Sequence, residues 1–223
     1  RLWPEIISFA NLYEAARKAS LGKRAQPNVN AFLARLEPNL CGLQRELQGR
    51  TYRPGPYAGF WIREPKLRLI SAAPFRDRVV HHALMNVVAP LLERRFVSDS
   101  FANRVGKGVH AARDRFQEHC RRYRFFLPCD VVNYFPSIDH AILKGKLRRV
   151  IRCADTLWLA DLIVDAANPQ EPVIRHFPGD DLFTPLDRRR GLPVGNLTSQ
   201  WFANLYLDEL DHRVKEEMRC PGY

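Results

Sequence analysis

Apolar positions along the chain recur mostly at helical spacing. Ile6, Phe9, Leu12, Tyr13 and Ala16 form one stripe and predict an amphipathic helix over 4–20, with Pro4 in its first turn and Gly22 ending it. Phe32, Leu36, Leu40, Leu43 and Leu47 predict a second helix over 28–49, which Pro38 should kink or split. The period then shortens. "AGFWIREPKLRLISAA", 58–73, reads as two short strands joined by a tight loop at Glu64–Lys66.

Helical spacing returns after Pro74 with Val80, Leu84, Val87, Val88 and Leu91, and Pro90 should bend that helix. "NRVGKGVHAA" is a basic, glycine-bearing loop leading into a helix over 109–121. The run "FFLPCDVVNYFPSIDH", 125–140, predicts a buried strand over 123–130 that ends in Asp130. Helices are predicted near 138–152 and 155–167, irregular chain with a short hairpin over 171–187, and a last helix from Leu197 to about Met218, with Asn196 as its N-cap. Helices, one hairpin, more helices and a strand make an α+β pattern.

Composition narrows the class. The 223 residues are 46% hydrophobic, enough for one large domain or two small ones. Proline and glycine are dispersed, and no repeat is visible. No segment has signal-peptide order, and none approaches the roughly 18 apolar residues of a membrane span. The expectation is a soluble cytoplasmic protein with no membrane partner. Five well-separated cysteines without a Cys-x-x-Cys pair read as reduced, mostly buried thiols. The histidines lack metal-ligand spacing. A net charge of +11 points to a polyanionic partner.

Three stretches can carry chemistry. A carboxylate at the end of an apolar strand, Asp130, is expensive to bury unless charge compensates it. Taken alone, it reads equally as a hydrogen-bonded core acid or as a ligand for a hard cation such as Mg²⁺. Asp139 reads as the cap of the following helix. "RRRGLPVGNLTSQWFANLYLDELDH", 188–212, places Gly191, Pro193 and Gly195 in a rigid turn before a helix N-terminus, with Ser199 and Gln200 on the first helical turn able to donate hydrogen bonds. Arg63, Lys66 and Arg68 cluster at the hairpin tip, where they can clamp a triphosphate or simply protect a solvated edge.

In this order the three stretches resemble the reverse transcriptases. "CDVVNYFPSIDH" is similar to the first palm motif, "RGLPVGNLTSQWFANLYLDELDH" to the segment beneath the nascent base pair, and "LRLISAAPFRDRVVHHAL" with "RVGKGVHAA" to the fingers motifs. The resemblance implies a right-hand polymerase fold, with fingers over 1–122 and an incomplete palm over 123–223. It implies an RNA-directed DNA polymerase acting with an RNA template, a DNA or RNA primer and dNTPs. "PVGNLTSQ" is most similar to diversity-generating retroelements, which implies a small helical accessory protein as partner. Related bacterial defence and uncharacterised reverse transcriptases share parts of the pattern, whereas intron and retroviral enzymes usually carry glutamine at the place of Val194. A bacterial defence or group II intron-type enzyme is the runner-up, and a non-catalytic RNA-binding module is the reading from another class. A Mg²⁺-dependent nuclease lacks a second acid at suitable spacing.

The resemblance also implies residue roles. Asp130, helped by the Val131 carbonyl, would hold two Mg²⁺ ions, with Mn²⁺ as a substitute. Arg63, Lys66 and Arg68 would take the triphosphate, with backbone N–H groups at Asn133 and Tyr134. Phe135 would be the steric gate against a ribose 2′-hydroxyl. Val194, Gly195 and Gln200 would lie beside the incoming nucleotide. Arg104, Lys107, Arg188, Arg189 and Arg190 would contact the template backbone. Asp180 and Asp181 precede the glycine-proline turn and read as a loop, not as the family's paired aspartates. That pair is expected past Tyr223, so these 223 residues alone are expected to be inactive.

Overall fold

The computed structural model describes residues 2–63, 67–167 and 176–223. Four helices open the chain: α1 (Leu2–Ile6), α2 (Phe9–Ser20), α3 (Pro27–Ala34) and α4 (Leu36–Gln48). The hairpin β1 (Ala58–Arg63) and β2 (Leu67–Ala72) follows, then α5 (Phe75–Glu93) and α6 (Val109–Arg122). The remainder is α7 (Tyr134–Ser137), α8 (His140–Val150), α9 (Ala154–Asp165), α10 (Thr184–Asp187), α11 (Leu197–His212) and a π-helical turn at Arg213–Glu217. This is a helix-rich α+β arrangement whose described sheet is one antiparallel pair.

Helix α5 is the central strut. Val79, Val80, Ala83, Leu84 and Val88 are buried on it, and α1, α2, α3 and α11 pack around it. One apolar cluster joins these to Leu143 and Leu147 of α8, Leu159 and Ile163 of α9, and Trp201, Phe202 and Leu205 of α11. The core therefore draws on both sides of the expected boundary at 122/123.

The expected helix breaks have local causes. The helix expected over 4–20 divides at Ser8, whose extended backbone lets its Oγ accept from Asn11 N at 3.2 Å and cap α2. The helix expected over 28–49 divides at Arg35, so Pro38 falls in the first turn of α4 and its missing N–H leaves no bond unmade. Helix α5 runs through Pro90 to Glu93. The last α-helix ends at His212 and continues as the π-helical turn.

Two expectations fail. Residues 123–130 form no strand, and Phe125, Phe126 and Leu127 are 83%, 74% and 84% exposed. A strand needs a neighbour, none of the described residues supplies one, and Pro128 removes a donor besides. The cysteines are free, as expected, but none is fully buried, and Cys120 and Cys129 are exposed. Of the irregular stretch over 171–187, the first residues lie outside the described ones, and 176–187 is a turn followed by α10. No helix among the described residues is long and apolar enough to cross a membrane.

Candidate active site

The hairpin is anchored from behind. Asp77, on the first turn of α5 and 2% exposed, accepts from the Tyr52 hydroxyl at 2.7 Å and from Gly55 N at 2.7 Å. Burial and the Asp77 charge push the Tyr52 phenol far above its usual range. This buried pair fixes the chain just before β1. The strand register pairs Ile62 with Arg68 and Arg63 with Leu67. Directly paired residues share a face, so Arg68 lies with Phe60 and Ile70, and Arg63 lies on the opposite face with Trp61 and Leu69. Both arginines are exposed; Lys66 lies outside the described residues.

The face that carries Arg68 meets the glycine-proline turn. A Cβ built on Gly195 would stand 3.1 Å from Ile70 Cγ2, and Gly195 has φ +107°. Close approach and backbone conformation both require glycine there. Ser71 N donates to the Val194 carbonyl at 3.1 Å, and Asn196 Nδ2 donates to the Ser71 carbonyl at 3.0 Å. Asn196 holds the expected N-cap position of α11, but its side chain makes no cap bond. Ser199 faces the core at 2% exposure, so its expected availability to a ligand is not met; Gln200 is half-buried.

The same turn docks on the residues after Asp130. Leu192 N donates to the Phe135 carbonyl at 3.0 Å, Gly191 N to Ile138 O at 2.9 Å, and His140 N to Arg189 O at 3.0 Å. Asp139 and Arg190 form an antiparallel bridge. His140 Nε2 lies 2.8 Å from the Gly191 carbonyl, so it carries the proton. Burial depresses the His140 pKa, which keeps the ring neutral. Asp139 caps α8 as expected, accepting from Ile142 N at 3.0 Å. Asn133 adopts a left-handed conformation, φ +51°, and turns the chain into α7. Tyr134 donates its hydroxyl to Ala203 O of α11 at 2.5 Å, and its ring packs edge-on against Phe135.

The expected template cations separate into two kinds. Arg104 is turned inward, with 6% of its side chain exposed. It donates to Val97 O at 2.7 Å, Ser100 O at 2.8 Å and Glu93 at 2.8 Å, and lies over Phe96. It braces a loop, and its placement gives no support to a template contact. Arg188 is held by Asp180 and by Asp139, and lies 4.9 Å from the Phe177 ring centroid. Charge alone could not separate these from Arg189, which is 68% exposed beside Asp165, or from Lys107, which bonds Ser98 O. Asp180 pairs with Arg188, and Asp181 accepts from Thr184 N and Oγ1, which is loop architecture.

Asp130 is exposed on irregular chain, and Val131 beside it is 46% exposed. Among the described residues, no group of three or more His, Cys, Asp or Glu side chains could hold a metal ion. A single carboxylate does not compensate two divalent cations, so the described residues do not by themselves fit a two-metal centre.

No family model matches the chain. Protein YkfC of Escherichia coli strain K12 is 27% identical over 218 residues, covering 92% of this chain and 54% of that protein. Group II intron-encoded protein LtrA of Lactococcus lactis subsp. cremoris is 24% identical over 218 residues, covering 96% of this chain and 34% of its own length. The chain thus spans about half and a third of these relatives. Among solved structures, a chain of the "Partial Cas6-RT-Cas1--Cas2 complex" superposes with a TM-score of 0.52 at 20% identity, covering 96% of this chain and 35% of that one. That likeness is one of fold.

Proposed function

We propose that this chain carries the fingers and part of the palm of an RNA-directed DNA polymerase. One observation carries the reading. The basic hairpin, the glycine-proline turn and the loop after Asp130 form a single hydrogen-bonded unit, through Ser71–Val194 and Leu192–Phe135. Such a unit ties the arginine-bearing hairpin, the glycine turn and the segment of Phe135 into one frame, which supports a role in nucleotide selection. Arg68 faces the turn and would take the triphosphate, with Arg63 and Lys66 as further candidates. Asn133 and Tyr134 would offer N–H groups, and Val194, Gly195 and Gln200 would flank the base. Phe135 would exclude a 2′-hydroxyl. Arg189, Arg190 and Lys107 would touch the template, in keeping with the net charge of +11.

Asp130 and the Val131 carbonyl are proposed as one part of a magnesium site, with Mn²⁺ as a substitute. The reading requires further carboxylates that the described residues do not contribute. Similarity to LtrA favours a group II intron-type enzyme. "PVGNLTSQ" favours a diversity-generating retroelement, with a small helical accessory protein. A neighbouring template repeat and variable-protein gene would decide for the latter.

The test is primer extension by the full-length protein on an RNA template with dNTPs and Mg²⁺. Asp130→Asn is expected to lower extension by about 10³-fold at unchanged melting temperature, because the side chain is exposed. RNA retention without extension by the unsubstituted protein would instead favour a non-catalytic RNA-binding module.

A further inference from the structure

We propose that Asn196 is a positioning residue: its amide locks the basic hairpin to the nucleotide-side turn and so sets the distance between Arg68 and the space beside Val194. The inference rests on the polymerase reading above and assigns to one side chain the task of holding its two halves in register.

A two-stranded ribbon is marginal by itself. This one is thinly covered, with Phe60 51%, Trp61 60% and Leu67 58% exposed. Its pose depends on whatever grips its outer edge. Ser71 provides that edge. Its N–H and its carbonyl both point away from β1, to Val194 and Asn196 respectively. The turn therefore behaves as a short third strand, closed by a side chain where a backbone donor would ordinarily stand.

Three features single out Asn196. It is 2% exposed, so the bond is sheltered from water. It occupies the N-cap of α11, where asparagine ordinarily accepts from the helix's first N–H groups, yet its side chain leaves that local bond unmade and reaches a residue 125 positions away. The bond requires a donor aimed at a carbonyl. Aspartate would place an acceptor there, and serine would fall short. Arg68 stands three residues from Ser71 on the same strand, so a shift of the edge moves the arginine with it.

The test uses the full-length protein and three variants. Asn196→Leu keeps the volume and removes the donor. Asn196→Gln keeps an amide on a longer stem. Ser71→Pro removes the partner bond to Val194 and leaves Asn196 in place. Single-nucleotide primer extension gives KM for dNTP and kcat; the rate of tryptic cleavage after Arg63 and Arg68 reports how firmly the hairpin is held, independently of catalysis. Asn196→Leu and Ser71→Pro are expected to raise KM for dNTP by about 5–10-fold, with kcat within about 2-fold. Faster hairpin cleavage and unchanged affinity for primer–template should accompany this. Asn196→Gln should recover part of the KM effect.

Wild-type KM in Asn196→Leu and Ser71→Pro overturns the inference, even if cleavage quickens. So does a loss confined to kcat that tracks a smaller folded fraction. If Asn196→Leu does not fold, Ser71→Pro decides by the same two readouts. Should the unsubstituted protein extend no primer, the polymerase reading fails, whereas the cleavage rates still report whether the clamp exists.

Discussion

The backbone N–H of Leu192 donates to the carbonyl of Phe135 at 3.0 Å, joining the proposed gate to the glycine-proline turn through a main-chain bond that exchanging the Phe135 side chain leaves in place. The backbone of Phe135 is thus held to the turn independently of its ring, and changing the ring's size should alter the space in front of it without moving the frame.

Phe135→Val tests that arrangement. In the full-length protein the smaller side chain should raise incorporation of ribonucleotides relative to deoxyribonucleotides by about 10–100-fold. Competing the two substrate classes on one RNA template measures the ratio. An unchanged ratio would remove Phe135 as the gate.

Val194 makes its carbonyl bond to Ser71 through the backbone, which leaves the aliphatic side chain free to be exchanged. An aliphatic group offers no polar contact to a nucleotide, and looser geometry permits mispairing. Sequencing the cDNA made by the wild-type and Val194→Gln proteins should reveal fewer errors in the variant. Identical spectra would dispose of the idea that this residue relaxes fidelity.

Asp77 concerns stability. Asp77→Ala strands a buried phenol and the Gly55 N–H, a loss of about 2–4 kcal/mol. For a chain of this size that lowers Tm by about 5–15 °C. Tyr52→Phe removes one of the two bonds and should fall less. Thermal melts followed by circular dichroism compare them.

The acid response of the fold turns on α5. Burial lowers the pKa of His81 to about 3, and burial with nearby cations lowers that of His82 to about 4. Both values lie below the unfolded 6.5, so the unfolded chain takes up protons first as pH falls. The stability is fully present above pH 6.5 and is lost progressively as pH falls, down to about 4 for His82 and about 3 for His81. The slope for His81 alone is at most about 1.4 kcal/mol per pH unit. Neither ring nitrogen of His81 has a hydrogen-bond partner among the described residues. His81→Leu is therefore expected to keep or raise Tm at pH 7 and to flatten the fall between pH 6.5 and 4.5. An unaltered slope would locate the acid sensitivity elsewhere.

Much of this was legible in the residues. The stripe Leu40–Leu43–Leu47, the cap at Asp139 and the hairpin flanking Glu64–Lys66 follow from spacing and local chemistry, which a single sequence records. The strand expected over 123–130 does not form, because an apolar run reports a preference for burial but not the presence of a neighbour. Arg104 shows another limit: its partners are two carbonyls and Glu93, and nothing in a count of cations distinguishes an arginine that braces a loop from one that meets phosphate. Asn196 was legible as a cap because capping is local; its bond to Ser71 depends on how distant segments fold together. Asp77 left a faint trace, an acid just after a helix-opening proline, but its partner Tyr52 lies in a turn with no periodicity to flag it.

The uncovered stretch Phe125–Leu127 has a practical corollary for anyone purifying these 223 residues. Three consecutive greasy side chains, with Val132 also 68% exposed, form an adhesive strip on an otherwise cationic particle. Charge repulsion opposes clumping in dilute buffer, and salt screens that repulsion while leaving the strip as sticky as before. Light scattering should therefore rise with ionic strength, and Phe126→Lys should suppress it.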